Sequence, residues 1–340
     1  MARPAAVRLG AMSPDAPGRR WGITVPFGGV PLHEHRAWYE LLESLGYTDA
    51  WSGESDGLDG FSPLLMAAAW TSSLQVGPAI IPAYTRGPAL LAQSAAALAE
   101  AAPGRCALGI GTSSDVIVGR WNGMAFDEPY RRVRDTLRFL RDALAGKKVD
   151  EDYGTFTVRG FRLSRPVPDP PPLYLAALRS GMLRLAGREA DGVIVNWLSA
   201  GDVPTVVSEM RAGAGAAADQ RLVLARIFVC PNEDAAAVRA IGRRMIAAYL
   251  NVEVYAEFHR WLGRAPKLQG MWDAWQAGDR KAALAEISDE LVDELIVHGS
   301  PAACRKRLEE YVTAGIDVPI IALIPPYGDL GDAIRGLAPR

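Results

Sequence analysis

The chain has 340 residues, 49% of them hydrophobic and 22% charged, which is typical of a soluble globular protein long enough for one large domain with insertions. Its 37 basic and 39 acidic residues give a formal net charge of −2, so the composition offers no electrostatic basis for binding nucleic acid or a membrane surface. No apolar run reaches the roughly 20 residues of a membrane-spanning helix. The cysteines Cys106, Cys230 and Cys304 show no metal-ligand spacing and favour a reducing, cytoplasmic location.

The first 20 residues differ in composition from the rest of the chain. They are rich in Ala, Pro and Arg and lack a continuous apolar segment. This composition predicts a disordered leader, or residues upstream of the true start, rather than a secretory signal. From residue 21 to residue 340 we predict a single domain.

Eight short apolar runs alternate with helical patterns from residue 21 onward. Each run is continuously apolar, as expected for a strand that is covered on both faces. The predicted strands are Trp21–Phe27, Thr48–Ser52, Gln75–Pro82, Arg105–Gly111, Pro172–Ala177, Asp191–Trp197, Arg221–Val229 and Val318–Pro325. Eight strands separated by helices predict an α/β fold, a (β/α)₈ TIM barrel, with an open sheet plus a second domain as the alternative.

Prolines and glycines mark the ends of the helices between these strands. Pro88 opens the predicted helix Ala89–Ala101, because proline's missing N–H costs nothing in a first helical turn. Gly315 ends the predicted helix Ala302–Ala314 immediately before the last strand.

Two segments interrupt the alternation and are interpreted as insertions. Tyr153–Leu163 predicts a small hairpin before the fifth strand. Ala247–Asp289 predicts a helical insertion that carries Trp261, Trp272 and Trp275. The tryptophans are explained either by packing within this cap or by an apolar wall over a substrate pocket or at a dimer face.

In a barrel of this kind the site lies at the carboxyl ends of the strands, so the residues that follow each strand are candidates. After the second strand, Glu54 and Asp56 could bind ring or hydroxyl groups of a cofactor, although turn formation explains them equally well. The third strand ends in Gly77–Pro88, where three prolines indicate irregular backbone that could lie against a flat ligand. Arg86 could pair with an anion or with the protein itself.

Small and hydroxyl-bearing residues follow the fourth and fifth strands. Such residues let a ligand approach the backbone closely and supply hydrogen-bond donors. They are Gly111, Thr112, Ser113 and Ser114 after the fourth strand, and Ala177, Leu178, Arg179, Ser180 and Gly181 after the fifth. Because the second group opens a helix, we expect an anion such as a phosphate to bind at Arg179, Ser180 and Gly181.

Other catalytic chemistries lack their motifs. The sequence has no Gly-x-Ser-x-Gly nucleophile elbow, and His33, His35, His259 and His298 form no metal-binding pattern, so we expect no metal. His33 and His35 are interpreted as capping or solvent-exposed residues of the first helix. A site rich in glycine and hydroxyls but poor in acid–base groups favours chemistry supplied by a cofactor.

Several segments together resemble the luciferase-like oxidoreductases, in particular their coenzyme F420-dependent branch and the methylenetetrahydromethanopterin reductases within it. The resemblance covers residues 21–230 well and the last helix and strand loosely. The matching segments are Gly46–Trp51, Gly77–Pro88, Pro103–Gly111, Val118–Phe126, the helix from Pro129, and Arg188–Gly192.

The resemblance implies a deazaflavin in the barrel mouth, with its phosphate near the loops after the fifth and sixth strands. It implies a non-proline cis peptide at Ala79–Ile80 that backs the central ring, with Ile81 following. Glu54 falls where relatives place an acidic residue at the deazaflavin. Asn196, with Trp197 beside it, falls at a position facing substrate.

Sugar-phosphate dehydrogenases of the family carry a histidine after the second strand and a glutamate after the fourth, where this chain has Ser55 and Ser114. We predict that Ser55 contacts the substrate from that position. The sequence therefore favours a reductase that passes hydride from deazaflavin C5 to a C=C or C=N group of a small molecule. The proton would come from Tyr84, Glu54, Ser114 or water. The alternatives are an FMN-dependent monooxygenase on the same barrel and a non-catalytic cofactor-binding barrel. The resemblance also implies a homodimer.

Overall fold

The computed structural model describes residues 19–339, so residues 1–18 of the predicted leader lie outside the described residues. The described strands are β1 (Gly22–Thr24), β2 (Asp49–Ser52), β3 (Gln75–Pro78), β4 (Ile81–Pro82), β5 (Leu108–Gly111), β6 (Val149–Asp152), β7 (Thr157–Phe161), β8 (Leu173–Ala176), β9 (Gly192–Asn196), β10 (Leu222–Cys230), β11 (Ile296–His298) and β12 (Val318–Leu323). The α-helices are α1 (Arg36–Ser44), α2 (Ser62–Trp70), α3 (Pro88–Ala101), α4 (Pro129–Leu144), α5 (Ser180–Glu189), α6 (Val203–Ala214), α7 (Ala235–Leu250), α8 (Glu253–Trp261), α9 (Ala265–Gln276), α10 (Arg280–Ala285), α11 (Asp289–Leu295), α12 (Pro301–Ala314) and α13 (Leu330–Leu337).

The main sheet is parallel and runs in the order β3-β2-β1-β12-β10-β9-β8-β5-β4. A parallel bridge between Val76 of β3 and Cys106, just before β5, connects the two ends of this order. Since β3 and β4 are two parts of the third predicted strand, nine short strands occupy eight positions around the ring. The predicted TIM barrel is confirmed, and all eight predicted runs contain its strands.

The barrel interior is filled by large side chains from alternate strand positions. The buried interior cluster is Trp51, Ala107, Tyr174, Ile194, Leu224, Val318 and Ile320. Gly77 leaves room for the indole of Trp51, because a Cβ on this glycine would lie 2.7 Å from Trp51 Cζ3. A larger cluster packs the outer faces of the strands against the surrounding helices. Within the described residues, no helix is long and apolar enough to cross a membrane.

The structure corrects three boundaries. Arg20 belongs to the fold rather than to a disordered leader, since its guanidinium pairs with the buried carboxylate of Asp49. The hairpin consists of β6 and β7 and spans Val149–Phe161. Its first strand was missed because three of its four residues are exposed and acidic, so it carries no apolar pattern.

The helical insertion is also wider than predicted. Five helices, α7 to α11, lie between β10 and β11, and the short strand β11 pairs in parallel with β10. Trp272 is buried among them, and its Nε1 donates to the carbonyl oxygen of Leu250 at 2.9 Å. This position supports the packing explanation for that tryptophan.

Candidate active site

The carboxyl ends of the barrel strands meet in a mouth, and strand alternation decides which side chains face it. On β10, Leu222 and Leu224 pack in the barrel interior, whereas Val223, Ala225 and Ile227 pack against the outer helices. Arg226 therefore faces the interior one layer above Leu224. On β9, Asn196 stands in the same relation to Ile194 and pairs in register with Arg226.

One side of the mouth, the β3 wall, consists of Glu54, Ala79, Ile80 and Arg86. The peptide bond Ala79–Ile80 is cis, which confirms the expectation drawn from the resemblance. Both residues are partly exposed, whereas Ile81 is buried and contributes to the core instead. The wall thus offers a small apolar shelf at the barrel mouth.

Two glycines of β5 allow the β3 wall to lie close to its neighbour. A Cβ on Gly109 would collide with the carbonyl oxygen of Pro78 and lie 2.6 Å from Ile194 Cδ1. A Cβ on Gly111 would lie 2.9 Å from Ala176 Cβ and 3.0 Å from Ile80 Cδ1. Gly111 therefore positions Ile80 by close packing, and its predicted contact with the cofactor stays a prediction.

Glu54 is held in an ion pair at this wall. Its carboxylate accepts hydrogen bonds from the Arg86 guanidinium and, at 3.0 Å, from the Gly60 backbone N–H. Both charged side chains are mostly buried, with 15% and 17% of their surface exposed. The structure thus decides between the two alternatives for Arg86, because this guanidinium pairs with the protein. Ser55, predicted to contact substrate, is exposed and donates to Asp56 within the turn.

Tyr84 does not fit its predicted role as a proton donor. Its hydroxyl donates to the backbone carbonyl of Asp127 at 2.6 Å, and its ring packs against Phe126. Burial raises the pKa of Tyr84 to about 12, which makes the phenol a weaker acid. The side chain fixes the loop after β5 through this hydrogen bond, which occupies its hydroxyl proton.

The loop after β5 has an unusual backbone conformation at Ser113, whose φ is 62°. A non-glycine residue in this region carries a cost of about 1–2 kcal/mol that the surroundings must offset. Thr112 donates its hydroxyl to the Ser113 carbonyl at 3.2 Å. Ser114 lies two residues before the π-helical turn Val116–Trp121 and accepts from the Ile117 N–H at 3.4 Å, which leaves its own proton to donate.

The loop after β8 leads into α5, as predicted. Ala177 is buried and its N–H donates to the Ile194 carbonyl, while Leu178 packs partly buried against the core. Arg179, expected to bind an anion, instead pairs with Glu257 of α8 at 3.1 Å. No side chain caps the first turn of α5, so the N–H groups of Ser180 and Gly181 are oriented for an acceptor such as a phosphate.

Opposite the β3 wall lies the β10 wall, which consists of Asn196, Arg226, Tyr249 and Tyr255. Asn196 Nδ2 donates to Tyr255 Oη at 3.3 Å. The Arg226 guanidinium lies over the ring of Phe228, 4.8 Å from its centroid. Sequence reasoning found Asn196 but missed the other three residues. A charged residue at an inward position of an otherwise apolar strand was the available signal.

Aromatic rings support the β10 wall from behind. Trp197, predicted to contact substrate, is 1% exposed, and its ring centroid lies 4.3 Å from that of Phe228 and 5.1 Å from that of Tyr249. Its φ of 53° is unusual for a bulky residue and turns the chain sharply after β9. Trp197 therefore supports the neighbouring side chains, and direct contact of this buried ring with substrate stays a prediction.

The histidines lie apart from the mouth or inside the core. His33 is exposed, as expected, but His35 is buried and its ring nitrogens contact the Phe27 N–H and the Pro31 carbonyl. His259 is fully buried. Within residues 19–339, no three His, Cys, Asp or Glu side chains form a group that could hold a metal ion.

A groove of about 510 Å³ lies elsewhere, along α4 and α5. Its charged side chains pair with one another, Arg138 with Glu189 and Arg141 with Asp191. Asp191 immediately precedes β9, so the groove lies towards the amino ends of the strands, where barrel enzymes do not place their active sites. The mouth is the better candidate.

Known proteins were compared with the whole chain. A family profile described as luciferase-like monooxygenase matches residues 10–318. The 5,10-methylenetetrahydromethanopterin reductase of Methanolobus tindarius is 27% identical over 285 residues, which cover 82% of this chain and 86% of that enzyme.

Two solved structures share the fold. The coenzyme F420-dependent tetrahydromethanopterin reductase of Methanopyrus kandleri superposes with a TM-score of 0.77 at 22% identity, covering 94% of this chain and 97% of that chain. An F420-dependent secondary alcohol dehydrogenase superposes with a TM-score of 0.76 at 17% identity, covering 93% and 96%. The resemblance noted in the sequence is confirmed, and the chain belongs to the luciferase-like monooxygenase family.

Proposed function

We propose that this protein is a coenzyme F420-dependent oxidoreductase that reduces a C=C or C=N group of a small molecule. The observation that carries the proposal is the partly exposed Ala79–Ile80 shelf, which shares the barrel mouth with the uncapped start of α5. A flat ring and a phosphate on one cofactor fit these two features. The reductase and the dehydrogenase that resemble this chain carry F420 in their names.

The residues around the shelf fit a deazaflavin in chemical terms. Ile80 and Ala79 supply apolar surface for the ring, and Ser113 supplies polar groups at its edge. The N–H groups of Ser180 and Gly181 suit the phosphate of the cofactor side chain. When bound, the deazaflavin supplies the hydride donor at C5, and the protein contributes orientation and exclusion of water.

The chain's own groups limit where a proton can come from. Glu54 is an acceptor in its ion pair with Arg86, and the Tyr84 hydroxyl is bonded to Asp127. Of the three predicted donors, Ser114 keeps a hydroxyl proton that it can donate, because its oxygen only accepts a hydrogen bond from the Ile117 N–H. A serine hydroxyl is itself a weaker acid than a phenol, so we assign protonation of the acceptor to a water that Ser114 binds and orients.

A flavin monooxygenase is the second candidate, since the family profile carries that description. Anaerobic fluorescence titrations of the full chain with oxidised F420, reduced F420 and FMN separate the two. We expect saturable binding of F420 and weak binding of FMN. Tight FMN binding without F420 binding would overturn the proposal, and F420 binding without single-turnover oxidation by any C=C or C=N acceptor would indicate a non-catalytic barrel.

The α5 site can be tested with a proline substitution. Gly181→Pro removes one amide donor at the second position of the helix, a position that Pro63 and Pro266 occupy in α2 and α9. We expect F420 to bind about 10-fold more weakly, while the phosphate-free deazaflavin riboside binds unchanged. Ala236→Pro, at the same position of α7, is the matched control. Equal weakening of both ligands would contradict the assignment.

The predicted homodimer and cytoplasmic location stay predictions. Light scattering after size-exclusion chromatography measures the oligomeric state directly.

A further inference from the structure

Arg226 carries a charge in the barrel mouth that the proposed chemistry does not use. Among residues 19–339, no carboxylate forms an ion pair with it and no side-chain hydrogen bond from it is present. The groups that face its guanidinium electrostatically are the phenols of Tyr249 and Tyr255. Burial lowers the pKa of Arg226, yet a guanidinium stays protonated at any physiological pH.

An uncompensated cation in a confined site is unfavourable unless a ligand offsets it. Two other arginines at this end of the barrel each pair with a carboxylate: Arg86 with Glu54, and Arg179 with Glu257. The position of Arg226 over the Phe228 ring also restricts the plane of its guanidinium. A fixed planar guanidinium suits a planar, bidentate anion.

Two neighbouring groups complete a recognition site around this cation. Asn196 is adjacent to Arg226 in the β9–β10 register, and its amide nitrogen donates to Tyr255 Oη at 3.3 Å. A phenol oxygen that accepts in this way can still donate its own proton. Tyr255 lies on α8, so the insertion contributes directly to the site.

We propose that Arg226, with Asn196 and Tyr255, binds a carboxylate of the substrate. This inference rests on the proposed function, because β10 lies four strand positions from β3 in the eight-position ring, directly across the mouth from the Ala79–Ile80 shelf. A substrate that reacts above the shelf would reach Arg226 with its far end. The reducible group and the carboxylate therefore belong to one small molecule.

The charge balance favours a carboxylate over a phosphate. Arg226 supplies one positive charge, and the titratable groups facing it are tyrosines, so a monoanion leaves no excess charge. Beside it, the ring centroid of Tyr249 lies 6.4 Å from that of Phe228 and 6.0 Å from that of Tyr255. These rings favour a substrate with an apolar or aromatic body next to the carboxylate.

The test uses benzoate and benzamide as probes, which have the same shape and differ in charge. Binding of each to the full chain is measured by calorimetry, with and without saturating oxidised F420, for the wild type, Arg226→Met, Arg226→Lys and the surface control Arg184→Gln. We expect the wild type and the control to bind benzoate at least 10-fold more tightly than benzamide. Arg226→Met should abolish this preference, and Arg226→Lys should retain part of it.

Titration of the same variants with oxidised and reduced F420 shows whether Arg226 instead binds an anionic group of the cofactor. If Arg226→Met weakens F420 binding and leaves the benzoate preference intact, the guanidinium serves the cofactor and the proposal is overturned. Equal binding of the two probes to the wild type also overturns it, whatever the variants do. A chain that binds benzoate through Arg226 but binds no F420 would refute the proposed function and leave the carboxylate site standing.

Discussion

The two walls of the barrel mouth handle charge in opposite ways. In the β3 wall, Arg86 pairs with Glu54, and its Nη2 also lies 3.8 Å from Asp59 Oδ1. The charge of this guanidinium is therefore balanced within the protein. In the β10 wall, no carboxylate among residues 19–339 pairs with Arg226, whose guanidinium faces the phenols of Tyr249 and Tyr255 and lies over the ring of Phe228. The difference fits both proposals, in which the β3 wall is a preorganised support for the cofactor ring and an anionic ligand neutralises the cation of the β10 wall.

The largest expected effect concerns the close packing beneath the β3 wall. Gly109→Ala places a Cβ against the Pro78 carbonyl and Ile194, and neither backbone nor core can move freely. We expect the free energy of unfolding to fall by about 3 kcal/mol or more, measured by urea denaturation. Gly28→Ala is the control, because nothing lies within 4 Å of its Cβ position. A Gly109→Ala protein as stable as this control would show that the two strands do not approach closely.

We expect the free energy of unfolding to depend on pH through His259, which lies on α8 with Tyr255. Burial, with Arg264 nearby, lowers the pKa of His259 from 6.5 to about 4. Between pH 6.5 and 4 the unfolded chain therefore binds the proton more readily, and stability falls as the pH falls through this window. The loss by pH 4 is about 3 kcal/mol.

Denaturation curves of the wild type and His259→Gln across that window measure this effect. The variant should lose less stability than the wild type between pH 6.5 and 4, because its side chain does not titrate. Parallel curves for the two proteins would contradict the assignment to His259.

The contrast between the two arginines can be tested directly. Arg86→Met leaves Glu54 without its main partner, so we expect the free energy of unfolding to fall by about 2 kcal/mol. Arg226→Met removes a cation that has no carboxylate, so stability should stay within about 0.5 kcal/mol or rise. Denaturation of both variants by guanidinium chloride, in the absence of ligand, measures the two changes in the free energy of unfolding. Equal destabilisation by the two substitutions would remove the distinction between the walls.

The smallest expected effect concerns Tyr84. Tyr84→Phe loses one hydrogen bond to the Asp127 carbonyl and should cost about 1 kcal/mol of stability. Turnover should change less than 3-fold, because the hydroxyl takes no part in proton transfer. Ser114→Ala should lower turnover more than Tyr84→Phe does. A drop of 100-fold in Tyr84→Phe, with F420 affinity unchanged, would restore the phenol as the proton donor.

The conformation around a candidate residue was predictable where it depends on the local chain, and not where it depends on partners distant in sequence. The prolines after the third strand predicted irregular backbone, the family resemblance placed the cis peptide at Ala79–Ile80, and the strand–helix junction predicted the start of α5. The roles of Arg86 and Arg179 were not decidable in advance, because Glu54 and Glu257 are 32 and 78 residues away along the chain. Trp197 had the expected position but is buried by Phe228 and Tyr249, which come from other elements.

The sequence by itself determined a parallel sheet covered on both faces, since continuous apolar runs of strand length are typical of such sheets, and the count of eight runs favoured a closed barrel over an open sheet. It also determined the irregular third strand and the placement of small residues at the strand ends. The tertiary structure alone decided which charges are paired. A guanidinium's role depends on what the fold brings within about 4 Å of it, and that distance is set by ring closure and by the insertion packed over β10. Arg86 and Arg226 are the same residue type. Among residues 19–339, the closed barrel brings a carboxylate to Arg86 and none to Arg226.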